Sequence, residues 1–145
     1  MIVPDPVLSA AYTSATYRIA IQPHACTVRI GLRHPGLDRR LRTRGCQSHW
    51  HLLTACNPRS QVLPAAENER LQRALLDAVS RCGWRHLPAC GQSDDGSWAE
   101  PGWCLLDAEP RTASAMGQGF GQAALVIGRL DQRAELIWLP PDSVP

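Results

Sequence analysis

The chain has 145 residues, 44% of them hydrophobic and 19% charged, proportions that fit one compact globular domain and leave little room for a second core. All 15 basic residues are arginine, which excludes a lysine Schiff base and the lysine of a phosphate-binding P-loop. A formal charge of +2 is too mild to point to nucleic acid, and the longest apolar run, Ala123–Ile127, falls far short of the roughly 20 residues of a membrane span.

Asp5 and two prolines in the first six residues replace the basic and then apolar pattern of a secretory leader, so the chain is expected to be cytoplasmic. Its six cysteines (Cys26, Cys46, Cys56, Cys82, Cys90 and Cys104) are then expected to be free and mostly buried thiols.

Residues 1–15 are expected to form an N-terminal helix or arm, with helical spacing over Val7–Thr16. Tyr17–Gln22 and Cys26–Leu32 read as a hairpin interrupted at Pro23 and His24. Pro35 and Gly36 open a basic helical segment, Leu37–Arg44, that Gly45 closes. His49–Cys56 alternates as a strand until Asn57 and Pro58 break it. The clearest element is a helix starting near Pro64, with Leu71, Leu75, Ala78, Val79 and Cys82 on one stripe and Gly83 as its stop.

Trp84–Cys90 and Trp103–Leu106 read as strands joined by a polar loop at Asp94, Asp95 and Gly96. Arg111–Met116 is a short helix expected to dissolve into Gly117, Gly119 and Gly121. Ala123–Ile127 and Ala134–Leu139 form a last hairpin turning near Asp131, and 140–145 is a tail. Together these predict a single-domain α/β (or α+β) fold over 1–145, a small mixed sheet of six to seven strands with two to three helices packed on it.

The two asparagines, Asn57 and Asn68, flank one strand-to-helix connection. Asn68 shares the core-facing stripe with Leu71 and Leu75, and a buried amide left without partners costs about 1 to 3 kcal/mol, so it must bond the preceding loop, a ligand, or both. Glu67 sits in the helix's first turn, where a carboxylate is favoured by the macrodipole. These residues either shape and cap the turn or line a pocket where strand meets helix.

The stretch Leu53-Thr54-Ala55-Cys56-Asn57-Pro58-Arg59-Ser60, then Glu67-Asn68, Gly91, Trp98-Ala99-Glu100-Pro101 and Phe120-Gly121-Gln122-Ala123-Ala124, resembles the bacterial domain of unknown function 3293. The resemblance runs most strongly from Leu52 to Ile127 and implies a small α/β domain, without an activity to carry over. Three positions depart from the family's usual pattern: Cys56 before the Asn-Pro pair, Pro64 in place of a capping serine, and Gly102 where serine commonly follows Glu-Pro. No serine catalysis is therefore assigned.

The matching motifs suggest that Asn57, Arg59, Ser60, Glu67, Asn68, Trp98, Glu100 and Gln122 converge on one face. An arginine, amides, carboxylates and an aromatic plane suit a small polar or nucleotide-like ligand. In an enzyme, Glu67 or Glu100 would transfer the proton, Arg59 would hold an anion, and the amides of Asn57, Asn68 and Gln122 would orient the substrate, with Ser60 and Trp98 beside them. In a non-catalytic module, the same pocket would bind a ligand, or Arg29, Arg33, Arg39, Arg40, Arg42 and Arg44 would meet an acidic protein or nucleic acid.

No cofactor is implied: the run Gly117, Gly119, Gly121 follows a helix and precedes a strand, the reverse of a dinucleotide site. Cys46, His49, His51 and Cys56 match no zinc spacing, and are expected to be core thiols and surface histidines.

Overall fold

The computed structural model describes residues 5–140; the expected tail lies almost wholly outside them. The described elements are α1 (Pro6–Ser14), β1 (Thr16–Ile21), β2 (His24–Val28), α2 (Pro35–Thr43), β3 (His49–Leu53), a 3-10 turn (Pro58–Ser60), α3 (Ala65–Cys82), β4 (Arg85–Gln92), β5 (Ala99–Leu106), α4 (Pro110–Gly119), β6 (Ala124–Arg129) and β7 (Glu135–Trp138). Among the described residues this is a small α/β domain of seven strands and four α-helices: α2, α3 and α4 are the expected two to three helices, and α1 is the expected N-terminal helix. The strands form one sheet in the order β2-β1-β4-β5-β3-β6-β7, antiparallel at every described pairing.

Two faces follow from the two-residue period of the strands. Tyr17, Ile19, Trp50, Leu52, Cys104, Leu106 and Val126 point to one face with Leu37 and Leu41 of α2; Leu53, Leu105, Leu125 and Ile127 point to the other, with Leu75 and Val79 of α3 and Ala113 of α4. The sheet curls around the first face. Just beyond β2 the Gly31 N–H donates to the Ala134 carbonyl at 2.8 Å, and Ala134 donates back to Leu32 at 2.9 Å, so the two edges meet at one point. Across one end of the curl, α2 is tied down by Arg40, which donates to the Ile21 and Gln22 carbonyls at the β1–β2 turn.

Several sequence expectations shift at element ends. Helix α4 continues through Gly117 to Gly119, because Glu109 accepts from the N–H groups of Arg111 and Thr112 at its start and Gly117 lets it press on Leu139 and Leu53. Strand β5 begins at Ala99, so the Trp-Ala-Glu-Pro motif opens a strand rather than ending a loop. Pro101 is tolerated there because its carbonyl edge, which would also carry its N–H, faces Thr54 just past the end of β3. All six cysteines are free; Cys82 is exposed on the last turn of α3 rather than in the core, and His51 is 1% exposed rather than at the surface.

The turn into β3 is built on one carboxylate. Asp107, held at φ 55°, accepts the backbone N–H groups of Gln47 (2.8 Å), Ser48 (2.8 Å) and His49 (3.2 Å). Burial pushes its carboxyl up, but the three donors together outweigh this and hold it below the usual aspartate range. Its stabilising contribution is therefore present above the ordinary aspartate pKa and lost as pH falls through the depressed value. Asp107→Ala leaves three donors without an acceptor and is expected to cost about 2 to 3 kcal/mol, read as a lower urea midpoint at unchanged m.

Candidate functional site

The chain leaves β3 between two supports. Ala55 N–H donates to the Gln72 side chain of α3 at 3.0 Å, and the Thr54 hydroxyl donates to the Pro101 carbonyl of β5 at 2.7 Å. Three non-glycine residues then adopt left-handed conformations: Asn57 (φ 50°), Arg59 (φ 56°) and Ser60 (φ 58°). Each such residue costs on the order of 1 to 2 kcal/mol, so the segment persists only where its surroundings impose it.

The imposing contacts centre on Asn57. Its N–H donates to Asn68 Oδ1 at 2.9 Å, its Oδ1 accepts from Leu63 N–H at 3.0 Å and from Asn68 Nδ2 at 2.8 Å, and its Nδ2 donates to Glu100 Oε2 at 2.9 Å. The half-buried amide of Asn68 thus finds its partners in the preceding loop. Gln122, 8% exposed, closes the loop from the other side by donating to the carbonyls of Cys56 (3.1 Å) and Phe120 (3.3 Å), while Arg59 N–H reaches the Gly121 carbonyl at 2.7 Å. The Asn-Pro, Asn68, Trp-x-Glu and Phe-Gly-Gln motifs are therefore one hydrogen-bonded neighbourhood.

Glu100 points from this neighbourhood into the curl of the sheet, where a cavity of about 50 Å³ is lined by Tyr12, Tyr17, Trp98, Glu100 and Gln122 over an apolar floor that includes Leu52 and Val126. Its register partner Gly91 on β4 is in turn opposite Tyr17 on β1, which sets the carboxyl and the phenol ring on the same face. Tyr12 of α1 stands at the mouth, edge-on to Trp98 (6.2 Å between ring centres) and to Trp138 (5.8 Å), and its carbonyl accepts from the Tyr17 hydroxyl at 2.9 Å.

The electrostatics of the cavity are dominated by burial. Burial pushes the Glu100 carboxyl above the ordinary glutamate range, and the Asn57 hydrogen bond only partly opposes this. Burial likewise raises the phenols of Tyr12 and Tyr17, with the Glu100 charge adding to both and the Ser60 hydroxyl opposing at Tyr12. Among the described residues three ion pairs form, and Glu100 is in none of them. A half-buried carboxylate without a cation is an arrangement that folding alone does not favour.

The eight sequence-predicted residues do not all line this cavity. Trp98, Glu100 and Gln122 do; Arg59 and Ser60 are exposed and border, with Gln122, a neighbouring cleft of about 670 Å³; Asn68 borders a third hollow of about 540 Å³ beside α3. Asn57 joins the parts. Glu67 stays apart, exposed on the first turn of α3, and its side chain makes no hydrogen bond among the described residues. Tyr12, Tyr17 and Cys90 of the cavity wall escaped the sequence reading, because nothing in their spacing tells that α1, β1 and β4 close on β5.

The basic segment is largely engaged within the chain. Arg29 pairs with Asp94 at 3.3 Å, Arg42 with Asp131 at 2.6 Å, Arg40 and Arg44 donate to backbone carbonyls at the β1–β2 turn, and only the Arg33 and Arg39 side chains of this segment make no hydrogen bond or ion pair among the described residues. His49 and His51 stack edge-on at 5.3 Å; burial and the neighbouring His49 hold His51 down to about 4, and no group of three metal-ligating side chains forms among the described residues. No described helix is long and apolar enough to cross a membrane.

No curated protein and no solved structure matches the chain. Residues 53–125, which carry the loop, α3, the Trp-x-Glu strand and the Phe-Gly-Gln turn, match the family described as Protein of unknown function (DUF3293), and the chain belongs to that family.

Proposed function

We propose that the chain is a single small-molecule-binding domain that recognises a small polar ligand in the inner cavity through Glu100. The observation that carries this reading is the carboxyl itself: half-buried, facing a cavity, held by one neutral amide and matched by no cation among the described residues. Asn57 and Asn68 spend their amides on one another, on the loop and on Glu100, so their role is to position the carboxyl rather than to touch the ligand. Trp98 and Gln122 supply wall and rim, and Arg59 and Ser60 lie in the outer cleft, where a longer ligand would extend. An elevated carboxyl pKa also suits proton exchange with a bound molecule, so Glu100, and not Glu67, carries any general acid or base role.

A group kept for binding at a cost to folding leaves a signature when it is neutralised. Glu100→Gln preserves the acceptor for Asn57 Nδ2 and removes the buried charge. The raised pKa means the folded chain holds its proton to higher pH than the unfolded chain, so wild-type stability falls as pH rises above the ordinary glutamate range. The variant is therefore expected to melt a few degrees higher at neutral pH, roughly the effect of about 1 kcal/mol, with the gap closing towards pH 4. In a thermal-shift panel of small amines, amides, alcohols and carboxylic acids, compounds that stabilise the wild type should fail to stabilise Glu100→Gln. A variant less stable than wild type at neutral pH, or stabilised by the same compounds to the same extent, contradicts the proposal.

A further inference from the structure

Among the described residues, Glu100 is the sole charged side chain lining the inner cavity, and the Oε1 oxygen of its carboxyl accepts no hydrogen bond from the protein. Around it stand the rings of Tyr12, Tyr17 and Trp98, whose π faces are the negative ends of their quadrupoles. Among the described residues no arginine and no histidine lines the cavity; Arg59 lines the outer cleft and Arg73 the hollow beside α3. The one formal charge among the described lining residues thus favours positive charge, and an anion would meet that carboxylate with only neutral donors, such as the Tyr12 hydroxyl and the Trp98 indole N–H, to offset it.

Size narrows the choice further. About 50 Å³ is room for a few water-sized groups, at roughly 10 to 15 Å³ each, and not for a whole metabolite. Resting on the reading of the site given above, we infer that the inner cavity takes the nitrogen headgroup of a small organic cation, an ammonium or guanidinium. Glu100 is its counter-ion and Tyr12, Tyr17 and Trp98 form an aromatic surround. The rest of such a ligand lies towards the outer cleft, which shares Gln122 with the inner cavity.

Cation and proton then compete for one carboxyl, and the cation's affinity rises with pH as Glu100 loses its proton to solvent. The other titratable groups close enough to feel the Glu100 charge are Tyr12 from α1, Tyr17 from β1, Cys90 from β4 and Cys56 from the loop after β3, all of which burial pushes to higher pH. The acid edge of binding therefore belongs to Glu100.

Methylguanidinium and N-methylurea test this directly, being nearly the same shape and differing in charge. Each is titrated into the full chain while the Trp98 indole and the Gly91 and Gly102 amides are followed by NMR. Methylguanidinium is expected to shift these resonances saturably, with affinity that falls as pH is lowered and weakens at least about tenfold in Glu100→Gln. N-methylurea is expected to leave them in place. Absence of methylguanidinium binding, or binding that Glu100→Gln leaves unchanged, overturns the cation inference. Saturable, Glu100-dependent binding of N-methylurea in its place overturns the cation class while leaving the small-ligand reading of the cavity intact, and a thermal-shift panel with no Glu100-dependent hit removes that reading separately.

Discussion

Asn57→Ala is expected to lower stability by about 3 to 4 kcal/mol, the largest effect of any single polar substitution around the cavity. The side chain serves three partners at once: Leu63 N–H, Asn68 Nδ2 and Glu100 Oε2. Removing it strands two donors and an acceptor in a half-buried site, where each unsatisfied group costs about 1 to 3 kcal/mol. Alanine also tolerates φ 50° less well than asparagine, whose short polar side chain is at home in the left-handed region. Urea denaturation with an unchanged m-value checks the number.

Asn57→Asp separates hydrogen bonding from charge. It keeps the acceptor for Leu63 and Asn68 but sets a second carboxylate where the 2.9 Å bond to Glu100 stands. Two carboxyls that close cannot both ionise, so one retains a proton. This variant should approach wild-type stability in acid and lose it as pH rises. If it is equally destabilised at pH 4 and pH 8, the contact with Glu100 is not the one that matters.

Gly102→Ser should cost about 3 kcal/mol, by a different mechanism. A Cβ on Gly102 would collide with the Leu53 carbonyl oxygen and sit 3.1 Å from its carbon and 3.2 Å from Thr54 Cα. Those are backbone atoms at the end of β3, which cannot rotate away as a side chain can, so β5 and the start of the Thr54–Leu63 loop must part. The Thr54 to Pro101 hydrogen bond crosses the same gap and would lengthen with it. The serine that the family resemblance leads one to expect at 102 is therefore incompatible with the close approach of β3 and β5 in this chain. A Gly102→Ser variant with wild-type stability would show that the two strands have slack that the geometry does not display. Because Gly102 also lines the cavity, the same substitution should weaken ligand binding at Glu100 even at temperatures where the protein stays folded.

Much of the fold was written locally. Proline at the start and Gly83 at the end bracket α3, and the stripe of Leu75 and Val79 puts its face on the sheet. The three hairpins β1–β2, β4–β5 and β6–β7 follow from alternating apolar residues around turn chemistry. Asn68 showed itself as a polar residue on an apolar stripe, and its need for partners was legible from burial physics before the partners were known. Local signals misled where tertiary packing overrode them: Gly117 and Gly119 remain helical because Gly117 seats α4 against Leu139 and Leu53, and Cys82 ends on the surface at the last turn of α3.

The sequence by itself determined which segments become helices and strands, and which polar residues could not be left alone, because those depend on periodicity, caps and the cost of unpaired groups within a few residues. Only the tertiary structure decided that β5 lies between β4 and β3, and that the sheet curls until its edges touch at Ala134. It also closed a cavity around Glu100 between Tyr12, Tyr17 and Trp98. Strand order and curl are set by contacts between residues far apart in the chain, whose spacing carries no periodic trace. A buried carboxyl's pKa is set by the surroundings those contacts create, so the raised pKa of Glu100 arises only on folding.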